Sequence, residues 1–595
     1  MKGTMSLLAV GLLPVVILPS CQKKLAEQPN VILILTDDQG WGDLASNGNT
    51  EISTPNLDKL RAESAVLDRF YVSPLSAPTR ASLLTGRYHL STGVSSVQSG
   101  LENMNPEETT IAELFKAEGY ATGCFGKWHS GAYYPLTPNG QGFDSFLGYC
   151  CGHWANYVNP QLQENELMTT REGYITDILT DEAIDFIKTN KEKPFFCYIP
   201  YNSPHSPFQV PDEYYEKYSH LENKAIATIY AMVENVDDNV GRIMKYLDEE
   251  NLRENTVIVF MSDNGPTYTA RYNGGMKGMK MGVFEGSVRV PCFVSWKGTI
   301  EPKVLDYPSA HIDMLPTLME LCDIENYSTN FAIDGISLTS LLDGSEDYLG
   351  SRGIGLHVLG NNDTASVWNI ADVITAKNKG GYLLDTLRLS VEASDTTLYN
   401  LAQDPEGMID IYDPENTQHK DLLGRYQKWY EIVSENIVNG GNVVPVGYEQ
   451  AREVRIPTPE GDYSGDLKCY GYPNQNWVNH FCDKDDVLGF NIEIVNGAEY
   501  EVLVEYSYEQ EKAIASLNCQ IGDEIVSNKI PYFPAQTLPA PDRVPRGEAY
   551  PMKWNRLSLG KLTLDKGEHT VKLYAEGVDG EDDLKIFNLV IKRCN

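Results

Sequence analysis

Ser76 opens the stretch Ser76-Ala77-Pro78-Thr79-Arg80-Ala81-Ser82-Leu83-Leu84-Thr85-Gly86-Arg87. Its hydroxyl is a small nucleophile-type group placed just before a proline and four residues before an arginine. Pro78 fits a helix start and Gly86 a helix stop, so the spacing predicts a short helix with Ser76 at its positive end, where anions bind well. Alone, the same pattern also suits a surface turn. Two pairs of oxygen-bearing side chains offer a second kind of chemistry: the acids Asp37-Asp38, and Asp263-Asn264 with one carboxylate and one amide, each follow an apolar run. Their oxygens are hard ligands suited to Ca²⁺ or Mg²⁺, and the four side chains are read as converging on one cation. In Gly126-Lys127-Trp128-His129 the lysine and histidine lie two apart, so an extended segment points both to one side. Two prolines, Pro204 and Pro207, flank His205 and fix the loop presenting it. Each of these residues also has a plain reading: a solvated acid, an exposed lysine, a structural histidine.

The elements around them decide between the readings. Val31-Ile32-Leu33-Ile34-Leu35 is a run of apolar residues bounded by polar ones, as in a strand buried on both faces of a parallel sheet, and it delivers Asp37 and Asp38 at its carboxyl end. Phe195 to Ile199 and Val257 to Phe260 repeat the pattern. Ligands of open α/β sheets bind at that edge. Thr54-Pro55-Asn56 reads as a capped helix start with Leu57, Leu60 and Ala65 on one face, and Thr110-Ile111-Ala112-Glu113 fits a capping box with Gly119 as the stop. A short strand from Tyr120 to Phe125 completes a βαβ rhythm.

With Leu84-Thr85-Gly86-Arg87 downstream, the Ser76 stretch resembles the signature of the type I sulfatases, whose first residue is a Cys or Ser oxidised to formylglycine. The Gly-Lys-Trp-His segment, Asp37-Asp38, Asp263-Asn264 and Phe284-Glu285-Gly286 stand in the order expected of the family, and the resemblance runs from about Asn30 to Val444. It implies an alkaline-phosphatase-like mixed α/β sheet flanked by helices, with a smaller antiparallel C-terminal subdomain. It implies one Ca²⁺ held by Asp37, Asp38, Ser76, Asp263 and Asn264. It also implies that hydrated formylglycine at position 76, activated with Arg80, attacks sulfur while Lys127 and Lys280 neutralise the sulfate oxygens. Lys280 rather than Lys277 fits the family spacing before Glu285-Gly286. His205 would protonate the leaving oxygen and His129 would take a proton from the second hydroxyl; His311 is read as structural. A serine precursor implies a radical-type maturase. Sulfated galactose or N-acetylgalactosamine glycans are the expected substrates, with His153, Trp154, Arg271 and His357 as loop residues that contact the sugar. A general arylsulfatase, a phosphoester or phosphonate hydrolase of the same fold, and a non-catalytic glycan-binding lipoprotein are the alternatives. Two-metal phosphatases need additional His and Asp ligands, so one Ca²⁺ fits the cluster better.

A chain of 595 residues exceeds one core, and its net charge of -35 makes nucleic acid an unsuitable partner. Residues 1–20 read as a signal ending in Leu18-Pro19-Ser20-Cys21, which resembles a bacterial lipobox. Lipidation of Cys21 would anchor the exported protein at the periplasmic or outer-membrane surface, membrane contact being limited to that anchor. The expected layout is a tether over 21–29, a catalytic α/β domain over 30–345, the smaller subdomain over 346–450 and a β-sandwich over 451–595. The last shows period-two strands at Tyr500–506, Leu557–564, Thr570–575 and Leu584–591 and looks like a carbohydrate-binding module. Trp477, Tyr532, Phe533 and Trp554 are candidate sugar-stacking groups or core aromatics. Cys469, Cys482, Cys519 and Cys594 permit three disulfide connectivities.

Overall fold

A computed structural model describes residues 28–594 except 269, 359–378, 393–394, 436–442, 471–475, 512–514, 548–549 and 582. The signal, Cys21 and nearly all of the tether lie outside the described residues. Among the described residues no helix is long and apolar enough to cross a membrane.

The catalytic half is built on one mixed sheet. From edge to edge its strands are Lys303–Leu305, Ala65–Leu67, Cys292–Ser295, Thr256–Ser262, Asn30–Thr36, Phe195–Pro200, Ala121–Lys127, Ser145–Tyr149, Gln161–Glu164 and Leu167–Thr170. Asn30–Thr36 lies at the centre, parallel to both neighbours, with Leu35 opposite Met261 and Pro200. Its apolar run is continuous because both faces are covered: Val31, Leu33 and Leu35 enter one core, Ile32 and Ile34 the other. One core is closed by the helix Met314–Leu321, the other by the long helix Lys224–Glu249. The parallel register brings the carboxyl ends of Asn30–Thr36 and Thr256–Ser262 level, which puts Asp37-Asp38 beside Asp263-Asn264.

The helix Ser76–Thr85 starts at Ser76 and ends on Gly86, whose φ of 68° is the left-handed cap that glycine adopts without a Cβ penalty. The Thr110 capping box forms in full, Thr110 Oγ1 accepting from Glu113 N and Glu113 Oε2 from Thr110 N. Two local readings are corrected. Ala65 starts the strand Ala65–Leu67 instead of continuing the helix Pro55–Ala62. Thr54 does not cap that helix; Asp237, on the long helix, accepts from Asn56 N at 3.1 Å and Leu57 N at 2.7 Å. A carboxylate remote in sequence supplies the anion that the helix start needs.

The smaller subdomain is an antiparallel meander of Gly353–Val358, Lys379–Leu384, Leu387–Glu392 and Asp395–Asn400 packed on the helix Thr417–Ser434. Beyond it two six-stranded sheets face each other over a single apolar core. The expected boundary at 450 is too late: Val443–Val446 pairs in parallel with Leu488–Ile494 and belongs to the sandwich. Trp477, Trp554 and Phe587 pack together, with the Trp554 and Phe587 rings stacked at 4.9 Å, while Tyr532 stays exposed. All four sandwich cysteines are free, Cys519 being buried in the core, so none of the three connectivities forms.

Candidate active site

The Ser76 side chain lies at the bottom of a buried polar cluster. Its Oγ accepts from Arg80 Nε at 2.9 Å and donates to Asp263 Oδ2 at 2.6 Å. Residues at i and i+4 share a helix face, so Arg80 lies over Ser76, and the other ends of its guanidinium reach the Lys127 carbonyl at 2.8 Å and Asp263 Oδ2 at 2.9 Å. Arg80 is fully buried. Such a fork fixes the direction of the oxygen at position 76 as well as its charge.

His129 stands on the open side of Ser76, with Nδ1 3.3 Å from Oγ. Its Nε2 is 2.9 Å from the Val97 carbonyl, an acceptor, so the ring proton sits on Nε2 and the Nδ1 lone pair faces position 76. Burial, then Lys127, hold this imidazole well below its usual pKa and keep it neutral. The chain does not reach His129 as an extended segment. The strand ends at Lys127 and His129 has φ 60°, so Lys127 and His129 meet the site through a left-handed turn and not through strand alternation. Gly152 makes room for the ring: a Cβ there would lie 2.3 Å from His129 Nε2.

Two ammonium groups close on the acids. Lys127 Nζ lies 2.6 Å from Asp37 Oδ2, and Lys280 Nζ 2.6 Å from Asp38 Oδ1, which also accepts from Asn264 Nδ2 at 2.7 Å. Burial, then the neighbouring Asp263, push the Asp37 carboxyl up to about 7. Burial alone would raise Asp38 too, but Lys280 and His205 override it and hold that carboxyl below its usual range. Asp37 Oδ1, Asp38 Oδ2 and Asn264 Oδ1 are buried and have no hydrogen-bond partner. Buried oxygens without donors are costly unless something positive completes them. Asp37, Asp38 and His205 also bring one ligand atom each within 4.8 Å of one another. An oxygen-rich donor set of this kind fits a hard divalent cation.

His205 Nδ1 donates to the Ser206 carbonyl at 2.7 Å, and Nε2 is 3.6 Å from Asp38 Oδ2. Burial lowers its pKa to about 3, so the resting ring is neutral with an unprotonated Nε2. His153 stands edge-on to it at 4.3 Å, with a buried Nδ1 lacking a partner, and the half-buried Trp154 stacks on Tyr149 at 5.1 Å. Arg271 is buried behind Asp38, donating to its carbonyl oxygen and lying 3.3 Å from Asp43 Oδ2, so its contacts brace the acidic turn. His357 is not a loop residue: it lies in the strand Gly353–Val358, buried against Tyr430 at 4.6 Å. That strand is covered on both sides, which a glycine-rich context does not reveal. His311 bonds Ser73 Oγ and the Tyr71 carbonyl, a structural placement. Sequence reasoning missed Gly152 and the Val97 carbonyl, since neither carries a side chain that signals chemistry.

A family model described as Sulfatase matches residues 29–324. Arylsulfatase A of Homo sapiens is 31% identical over 363 residues, 54% of this chain and 69% of the human protein. The chain belongs to the sulfatase family. N-acetylgalactosamine-6-sulfatase of Mus musculus is 32% identical over 348 residues, covering 52% of this chain and 66% of the mouse protein, so the chain spans just under two-thirds of that relative. Among solved structures, Ps i-CgsB in complex with k-i-k-neocarrahexaose superposes with a TM-score of 0.63 at 27% identity, over 69% of this chain and 94% of the other. The mixed sheet with flanking helices is thus the alkaline-phosphatase-like core of sulfatases, and the C-terminal β sheets are added to it.

Proposed function

We propose that the protein is an exported sulfatase that hydrolyses sulfate esters of carbohydrates, galactose or N-acetylgalactosamine glycans above all, using a formylglycine made from Ser76. The observation that carries the reading is the surroundings of one oxygen. At position 76 a fixed guanidinium donor, a carboxylate acceptor and an imidazole lone pair meet, and the ammonium groups of the buried Lys127 and the half-buried Lys280 flank the same acidic cluster. A nucleophile, a base and a cradle for an anion are what ester hydrolysis at sulfur needs. Relatives named for N-acetylgalactosamine 6-sulfate esters, and a solved relative holding a neocarrahexaose, support the carbohydrate class. Cys21, outside the described residues, would carry the lipid anchor, and a radical-type maturase would make the aldehyde.

The residues divide the work. Formylglycine, once hydrated, supplies two hydroxyls on one carbon in place of the single serine hydroxyl. Arg80 and Asp263 orient the attacking oxygen, and Asp263 Oδ2 accepts its hydrogen bond. Lys127 and Lys280 offset the negative charge on the sulfate oxygens. His129 Nδ1 receives the proton of the second hydroxyl, with Nε2–H held on the Val97 carbonyl. His205 lies on the leaving-group side and must take a proton before it can pass one to the departing sugar oxygen. Asp37, Asp38, Asp263 and Asn264 would hold one Ca²⁺, which when bound lowers the pKa of an oxygen at position 76 and draws electron density from the ester.

The test is sulfate release from a panel of sulfated monosaccharides beside a small aryl sulfate, with Ser76→Ala as control. Turnover of a sulfated galactose or N-acetylgalactosamine that vanishes in the variant is expected. Efficient turnover of the aryl ester with every sugar ignored would contradict the carbohydrate reading, and retained activity in Ser76→Ala would contradict the role of position 76.

A further inference from the structure

Between the strands Glu524–Lys529 and Asn555–Leu564 the chain makes an excursion beyond Phe533 that includes the short hairpin Gln536–Thr537 with Met552–Lys553. Part of this excursion is built into the catalytic half. Arg543 N donates to the Phe208 carbonyl at 3.0 Å, Arg543 Nη2 donates to the Val210 carbonyl at 2.9 Å, and Val544 packs against one of the cores of the central sheet.

The centre of the contact is an ion pair. Arg546 donates to both Asp542 oxygens, at 2.9 and 2.5 Å, and the two side chains are 1% and 7% exposed. Burying such a pair brings little or no net stability, so its value lies in fixing one arrangement. The arrangement it fixes is at the active site. The remaining arm of Arg546 donates to the Ala155 carbonyl at 2.7 Å, one residue beyond Trp154. Asp542 Oδ1 accepts from Gln209 Nε2 at 2.8 Å, Gln209 Oε1 accepts from Tyr157 N at 2.7 Å, and Tyr157 Oη donates to the Ser206 carbonyl at 2.8 Å and lies 3.3 Å from that of His205. One buried pair from the sandwich therefore holds both loops whose side chains, His153-Trp154 and His205, stand on the leaving-group side.

We infer that Asp542 and Arg546 are positioning residues of the active site: the sandwich is a structural wall of the cleft that sets the placement of the His153–Trp154 and His205 loops, and with it the affinity for the sugar carrying the sulfate. The inference rests on the sulfatase reading for its substrate but not for its geometry. Neither residue touches the sulfate pocket, so the effect falls on the group attached to it. Loops restrained by a buried charged network open less often than loops restrained by water.

The test uses the full chain with Arg546→Met and Asp542→Asn; the second keeps the size of the side chain and guards against a misfolded first variant. Hydrogen exchange is followed in peptides covering 150–158 and 203–210, and KM and kcat are measured on a sulfated saccharide and on an aryl sulfate. Exchange in both segments should quicken by about tenfold or more. KM for the saccharide should rise by about tenfold, at least several times more than for the aryl ester. Arg546→Lys, which keeps the charge and one contact, should recover part of the loss. Unchanged exchange in both segments while peptides of 530–554 loosen would overturn the inference, as would an equal loss on both esters. Should the unsubstituted protein, carrying the aldehyde at position 76, turn over neither ester, the sulfatase reading fails and the exchange result alone decides the positioning role.

Discussion

Gly152→Ala probes the base with a single methyl group. Gly152 has no positive φ, so its backbone accepts alanine without strain and the substitution acts only through space. The new Cβ would lie 2.3 Å from His129 Nε2 and 2.5 Å from Cε1, against the roughly 3.4 Å of ordinary contact, so the ring must move by about 1 Å. The His129 ring is tied to the Val97 carbonyl at 2.9 Å and faces Ser76 Oγ at 3.3 Å, so a shift of that size disturbs both contacts. A displacement of about 1 Å at a catalytic group costs on the order of a hundredfold in rate. Overpacking costs about 1–3 kcal/mol, which a protein of this size survives. The assay is kcat on an aryl sulfate beside a thermal melt. A loss near a hundredfold in kcat, with a melting temperature only a few degrees lower, is expected. Wild-type kcat in a folded variant would refute the placement of His129 as the base.

Two further outcomes follow from the charges. Chelation should abolish turnover and lower the melting temperature, because Asp37, Asp38 and Asn264 then lose what completes their buried oxygens; Ca²⁺ should restore both, and full activity in metal-free protein would contradict the Ca²⁺ assignment. Where the sandwich meets the catalytic half, Glu460 accepts from Tyr133 at 3.1 Å and Asn103 at 3.2 Å beside Glu102. Burial pushes Glu102 up to about 7, and burial with the charge of Glu102 pushes Glu460 up to about 8. The folded state thus holds protons that the unfolded chain releases near 4.5, so the contribution of this contact is complete below that value and is lost as pH rises to about 8. Melting temperature should fall across this window, and Glu460→Gln, which still accepts both bonds, should flatten the slope. A pH-independent melt of the unsubstituted protein would contradict the shifts.

What the sequence made legible was local. The Val31–Leu35 run announces a strand covered on both faces, the Thr110 box announces a helix start, and the acids after Leu35 and Met261 announce a ligand edge, because each is written in consecutive residues. Remote partners left no such mark. Asp237 caps the helix at Pro55 from the long helix, Val443–Val446 joins a sheet whose other strands come later, and Asp542 reaches Gln209 from the far module. His129 shows the same limit within four residues: its type was legible, but the left-handed turn that aims it depends on Gly152 and the Val97 carbonyl. His357 and Arg271 were read as loop contacts from their polarity, whereas packing placed the one in a covered strand and the other behind Asp38.

The most direct test of the account is the mass of the tryptic peptide Phe70–Arg80, which contains Ser76, from protein co-expressed with a radical-type maturase and shown to release sulfate. The account predicts a peptide lighter than the encoded one by two hydrogen atoms and reactive toward hydrazines, as an aldehyde at position 76 requires. A fully active preparation whose peptide carries only unmodified serine would contradict it.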